Sequence, residues 1–152
     1  MRYKEFNRNS VLEKCIPLFW KSGFRACAIS DIVERTGVNR YSLYEEFKNK
    51  EGILAAALEL YQNRYAAKNI EHLNKEGNTK EQLRAFYMSY LKGGEQQDGC
   101  FIMHVGTELA DNDLEVKEIL KQYMNSIEKS MVKLLENDVL TKTNSVIYAR
   151  NL

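Results

Sequence analysis

Proline occurs once in this sequence, at Pro17, and period-two alternation of apolar and polar residues is nearly absent. A chain of that kind is not a β-sandwich or barrel. Cysteine occurs three times, at Cys15, Cys27 and Cys100. An odd number cannot pair fully within one chain, and the spacing fits no zinc motif, so reduced thiols are expected. No apolar run approaches the roughly 20 residues that cross a bilayer. The opening stretch, MRYKEFNRNS, is polar, unlike a secretory signal. These features place the protein in the cytoplasm, away from the membrane. Histidine occurs only at His72 and His104, far apart in sequence. There is no glycine-rich phosphate loop, nucleophile elbow or paired metal motif, so an enzyme is not expected, nor a bound cofactor or metal. Internal repeats and low-complexity segments are also absent.

What is present reads as globular. The chain has 152 residues, 44% hydrophobic and 28% charged, enough for a real core. Net charge is +1, but it is unevenly spread. Residues 1–50 hold ten Lys/Arg against six Asp/Glu, and the remainder twelve against fifteen. A mildly basic first third on a mildly acidic body suits a nucleic-acid-binding head.

Helical spacing runs through the chain. Val11, Leu12, Cys15, Ile16 and Phe19 form one face of a first helix that Gly23 ends. Pro17 removes a backbone donor inside it and predicts a kink. Ile29, Ile32 and Val33 mark a short second helix, stopped by Gly37. A third follows, with Asn39 as N-cap. Ile53, Leu54, Ala57, Leu58, Tyr61 and Tyr65 predict a long helix over 50–69. After the polar linker NKEGNTKEQ come a helix around residues 83–91, the loop KGGEQQDG and a helix opening at Phe101. A long helix spans Val116 to Leu135 and ends at 137–143. The stretch Ser145–Leu152 predicts the first turns of one more.

The second helix, the Gly37-Val38-Asn39 turn and the third helix have the dimensions of a helix-turn-helix. Ile32, Val33, Val38, Leu43 and Phe47 would pack it against the first helix. Arg40, Tyr41, Ser42 and Tyr44 would project outward. In such a motif the second helix enters the DNA major groove. Arg40 suits guanine, Asn39 adenine, and Ser42 a base or phosphate. Tyr44 and Lys48 suit the phosphate backbone, and Lys50 a phosphate at the start of the next helix.

The stretch GFRACAISDIVERTGVNRYSLYEEFKNKEGILAAAL, with LFWKSGF, the TGV turn and SLYxxFxxKE, resembles the DNA-binding domain of TetR-family transcriptional regulators. The likeness is close over residues 8 to about 58 and looser beyond. It implies an all-α protein with a three-helix DNA-binding domain at 1–48. A helical ligand-binding and dimerisation domain would follow at 49–152. It further implies a ligand-responsive repressor that binds double-stranded operator DNA as a homodimer and releases it for a small-molecule effector. By matching position, Asn39, Arg40, Tyr41 and Ser42 read bases, while Tyr44 and Lys50 hold phosphates. Three departures stand out. Cys27 and Ala28 occupy the place of a Thr or Ser helix cap, whose loss costs roughly 1 kcal/mol unless Ser30 compensates. Pro17 could tilt the first helix. The chain also stops at Leu152, where family members run on through two helices of the dimer interface. The expectation is a truncated chain or a dimer built differently.

In the resembling family the helices around 83–91, 101–109 and 116–135 surround the effector. Their candidate pocket residues are Tyr87, Tyr90, Phe101, Met103, His104, Tyr123, Met124 and Ile127, equally at home in a core. Such a lining suits an apolar or aromatic effector. Cys100, His104 and Glu108 share one helix face, too few ligands for a metal site. Cys100 beside His104 is the candidate redox-sensing thiol. Two alternatives therefore stay open: a redox-sensing regulator acting through Cys100, and a helical interaction protein that binds no DNA.

Overall fold

The computed structural model describes residues 6–91, 99–109, 113–137 and 149–150, and these are helical with short connections. Helix α1 spans Arg8–Ser22, α2 Ile29–Thr36, α3 Arg40–Phe47 and α4 Lys50–Tyr61. A π-helical turn, Gln62–Ala66, joins α4 to α5, Ala67–Glu71, and a 3₁₀ turn closes the rod at His72–Asn74. Then come α6, Thr79–Leu91, α7, Phe101–Leu109, and α8, Leu114–Glu136. The single helix expected over 50–69 is thus one rod with a bulged turn in its middle. The wider turn resets which face points inward.

Helix starts are written locally. Asn7, Asn39, Asn49 and Asn78 each accept, through the side-chain oxygen, a backbone N–H three residues on, at 3.0, 2.9, 2.7 and 2.9 Å. Asp113 does the same for α8. Each satisfies a donor that a helix start leaves unpaired, worth about 1 kcal/mol. α1 runs through Pro17 as one 15-residue helix. α2 has no side-chain cap for its first N–H groups, from Ser30 or elsewhere; only the reciprocal half of a capping box forms, the Ala28 N–H donating to the Asp31 carboxylate at 2.8 Å.

α4 is buried on nearly every side, from Ile53 through Leu58. A helix apolar all round belongs at the centre of a core, and α1, α3, α7 and α8 pack around it. One continuous cluster joins Leu12 and Phe19 of α1, Ile32 of α2, Leu43 and Phe47 of α3, Phe101 and Val105 of α7 and Tyr123 of α8. Trp20, Tyr61 and Phe101 form its aromatic knot, with ring centres 5.4 to 5.7 Å apart. A second, smaller cluster gathers Leu73, Phe86, Met131, Leu134, Leu135 and Ala149. The division at residue 48 falls between α3 and α4, yet the core runs across it. We keep it as a proposed functional boundary. α8 ends at Glu136, short of the helix-poor stretch. Of the helix expected at 145–152, Ala149 and Arg150 are described and helical, and the rest lies outside the described residues. No helix among the described residues is long and apolar enough to cross a membrane.

Candidate DNA-binding face and effector cavity

Gly37 ends α2 with φ 74° and ψ 9°, and its N–H donates to the Val33 carbonyl at 2.8 Å. That left-handed geometry is cheap only for glycine. Thr36 tightens the turn. Its hydroxyl donates to the Ile32 carbonyl at 2.6 Å and accepts the Val38 N–H at 3.2 Å. α3 then lies with Leu43 and Phe47 buried. Burying a Leu or Phe of this kind stabilises by about 1.5–3 kcal/mol, so two side chains fix the orientation of the whole short helix.

The opposite face carries Asn39, Arg40 and Tyr41, all exposed, with Ser42 and Tyr44 half-buried. The Arg40 guanidinium sits 5.1 Å from the Tyr44 ring centre, which holds a flexible cation in one place. Asn39 differs from expectation in part. Its side-chain oxygen is engaged as the N-cap, through the Ser42 N–H, so a two-pronged grip on adenine is not freely available. Lys48 is exposed and has φ 72° and ψ −55°. The Asn49 N–H donates to the Phe47 carbonyl at 2.9 Å, making a tight three-residue turn around Lys48. That conformation is rare and strained for a residue with a side chain. Gly52 makes room for it: a Cβ there would lie 1.9 Å from the Phe47 oxygen.

Lys50 also departs from expectation. Its ammonium donates to the Phe24 and Cys27 carbonyls, both at 2.9 Å, and lies 4.2 Å from the centre of the Phe24 ring. The charge is turned onto the loop before α2 rather than presented outward. The free N–H groups at the start of α4 remain for a phosphate.

In the body, α6, α7 and α8 line an open cavity of about 540 Å³. Tyr87 and Tyr90 face it from α6, Cys100 and Met103 from the start of α7, and Tyr123, Met124 and Ile127 from α8. Two expected members are elsewhere. Phe101 is fully buried in the aromatic knot with Trp20 and Tyr61. It follows Cys100 by one residue, about 100° around the helix, and so faces α1 and α4. His104 is exposed and not part of the wall. The residues that sequence reasoning missed are Phe86, Gly99, Glu128, Met131, Ala149 and Arg150. Phe86 and Met131 carried a helical signal but no cue to separate a wall from a core.

The cavity has one polar end. The Tyr90 and Tyr123 hydroxyls are 2.6 Å apart, and the Cys100 thiol donates to the Tyr123 oxygen at 3.4 Å. Burial raises the pKa of Tyr123, and Cys100 beside it raises it further. Burial raises Tyr90 too. These hydroxyls therefore stay protonated and work as hydrogen-bonding groups. At the rim, Arg150 pairs with Glu128 at 2.9 Å. A larger hollow of about 660 Å³ lies by the Lys75–Thr79 turn, but no aromatic residue lines it. Cys100, His104 and Glu108 do not converge: Glu108 turns to the head, where it accepts the Phe24 and Arg25 N–H groups. Among the described residues no cluster of three or more His, Cys, Asp or Glu is placed to hold a metal.

A helix-turn-helix head joined to a helical body with an open cavity is the plan of this fold. The family model for bacterial regulatory proteins of the tetR family matches residues 12–60. The chain is 33% identical over 138 residues to the HTH-type transcriptional repressor ComR of Escherichia coli (strain K12), covering 88% of this chain and 66% of that protein. Among solved structures, E. coli NemR in its reduced form superposes with a TM-score of 0.78 at 20% identity, over 95% of this chain and 79% of that one. A cysteine mutant of CifR bound to 26 bp double-strand operator DNA gives 0.82 at 16% identity, over 98% and 82%. The chain belongs to the TetR family. It spans about two thirds of the length of ComR. The family is one of transcriptional regulators, not enzymes.

Proposed function

We propose that the chain is a ligand-responsive transcriptional repressor that binds operator DNA as a homodimer and releases it when a small apolar or aromatic molecule fills the body cavity. The observation that carries this reading is the first turn of α3. Arg40 and Tyr41 stand exposed there, above a helix anchored by Leu43 and Phe47. Arg40 reads a base edge, Tyr41 and Ser42 contact bases or phosphates, and Tyr44, Lys48 and the N-terminus of α4 hold the backbone. Asn39 holds the helix start, which leaves its amide N–H₂ for a single hydrogen bond to a base or phosphate. Two such heads must match half-sites roughly 34–36 Å apart. An effector shifts the population toward a body geometry in which they no longer do. ComR is named a repressor and CifR is solved on operator DNA, which supports the reading.

The test is selection of duplexes from a random pool by the full chain. Enriched duplexes should carry two chains each, and binding should weaken steeply with salt. Arg40→Ala should lose about 1–3 kcal/mol of affinity and relax preference at one position of each half-site. A chain that enriches no duplex sinks the proposal. An effector that leaves both head spacing and DNA affinity unchanged sinks the release mechanism.

A second reading has its own observation. Cys100 is on the cavity wall, whereas Cys15 and Cys27 are buried and burial raises both thiols. If Cys100 senses oxidants, Cys100→Ser abolishes a peroxide response of DNA binding. If it is only wall, Cys100→Ser keeps the response to the small molecule.

A further inference from the structure

Residues 23–28 connect α1 to the helix-turn-helix, and little within the segment holds it. Its one internal backbone bond is long, from the Cys27 N–H to the Gly23 carbonyl at 3.3 Å. Its shape is set from outside, from two directions. The Glu108 carboxylate accepts the Phe24 N–H at one oxygen and the Arg25 N–H at the other, both at 2.8 Å. The Arg25 guanidinium reaches back to the Glu108 carbonyl at 3.4 Å. From the other side, the Lys50 ammonium takes the Phe24 and Cys27 carbonyls. The loop's peptide dipoles thus lie between a negative and a positive group, donors toward the carboxylate and acceptors toward the ammonium. Charge-assisted bonds of this kind are about twice as strong as neutral ones. Gly23 keeps the approach open: a Cβ there would meet the nearer Glu108 oxygen at 3.0 Å.

We propose that Glu108 is a positioning residue for DNA recognition, which clasps the loop leading into α2 and so sets the helix-turn-helix against the body. The proposal rests on the DNA-binding reading above and deepens it by naming how the cavity reaches the head. Glu108 sits on the last turn of α7, and the cavity wall at Cys100 and Met103 is at the other end. By helical rise Cys100 and Glu108 are about 12 Å apart along one axis. Phe101, Ile102 and Val105 are fully buried between them, so α7 moves as a unit. A ligand that displaces the start of α7 displaces the clasp. Lys50 is fixed to α4, so the loop is drawn from one holder against the other. Arg40 and Tyr41 then change place without touching the ligand.

The test compares the wild-type chain with Glu108→Gln and Glu108→Asp. Glutamine keeps the size but turns an N–H₂ toward one of two donors, breaking half the clasp. Aspartate keeps the charge but falls one methylene short. The first readout is amide exchange by NMR. Exchange at Phe24 and Arg25 should rise at least tenfold in Glu108→Gln while the α4 and α7 amides stay as they were. The second is affinity for a duplex selected by the wild type, measured well below the melting transition of each variant. Glu108→Gln should lose at least tenfold, and Glu108→Asp should fall between the two. A variant that is merely less stable would bind normally under those conditions. Unchanged exchange at the two amides, or unchanged DNA affinity in Glu108→Gln, overturns the proposal. A wild-type chain that selects no duplex overturns the DNA-binding reading itself, and the clasp's role with it.

Discussion

In α3 the side chains that would meet a partner point out, and their helix is held from beneath by Leu43 and Phe47. In α6, α7 and α8 the side chains that would meet a ligand point in, toward a space those helices leave unfilled. The exposed set spans six residues, Asn39 to Tyr44. In the inward set, by contrast, Tyr90 meets Tyr123 across 33 positions and Cys100 meets Tyr123 across 23. A recognition face can therefore be specified by caps and a helical stripe. A cavity exists only once three helices have packed and left space between them. The difference also bears on tolerance. The face can lose a side chain and stay folded, while residues at the cavity serve packing and binding at once.

The largest expected effect is at the junction of the two regions. Phe101→Ala removes a ring from the knot with Trp20 and Tyr61 and should cost about 3–5 kcal/mol in urea unfolding. Because Phe101 is off the cavity wall, effector selectivity should hardly change. A selectivity change without a stability loss would return Phe101 to the wall. Next is Gly52→Ala, whose new Cβ meets a backbone oxygen that cannot retreat without undoing the Lys48 turn. We expect a loss of about 3 kcal/mol or more, and normal stability would show that turn to be easily reshaped. Asn39→Ala should cost about 1 kcal/mol of stability by uncapping α3. Asn39→Ser, which restores a cap, should recover stability but not any base contact. Comparing the two on a selected duplex separates the cap from the contact.

Alkaline pH gives a subtler contrast. Burial, with Cys27 adding to it, pushes the Cys15 thiol from an ordinary 9.0 up to about 12. Above pH 9 the unfolded chain has lost that proton and the folded chain keeps it. Stability is therefore fully present below pH 9 and falls as pH rises toward 12. Tyr61 and Tyr123, also raised by burial, add to the fall from about pH 10 upward. Urea midpoints across this range should slope down, and Cys15→Ala should remove a share of the part that begins near pH 9, the raised Cys27 thiol supplying the rest. The smallest effect is at Met124, a half-exposed wall residue. Met124→Ala should change stability by less than about 0.5 kcal/mol yet shift which effectors fit, read by ligand-induced melting shifts.

The head was legible because its information is short-range. Asn39, Gly37 and the Leu43/Phe47 pair each act within one or two turns of themselves. Lys50 shows where that legibility stops. Its place at a helix start points to a phosphate, but only the fold brings the Phe24 and Cys27 carbonyls, more than 20 residues away, onto its ammonium. In the body, Tyr87, Tyr90, Met103, Tyr123, Met124 and Ile127 are on the wall of one cavity. Phe101 and His104, on the same helix, are not. An aromatic residue at helical spacing has the same pattern whether it fills a core or lines a cavity.

The order of residues along the chain was enough to specify the helices, the Asn39 cap, the turn before α3 and the family. These depend on backbone groups and side chains within one or two turns of each other. Which charges face outward, where α7 turns its two faces, and that one end of α7 lines a cavity while the other holds the loop before α2 were settled only in three dimensions. Those outcomes depend on packing volume and on partners supplied by distant segments, and no local pattern carries either.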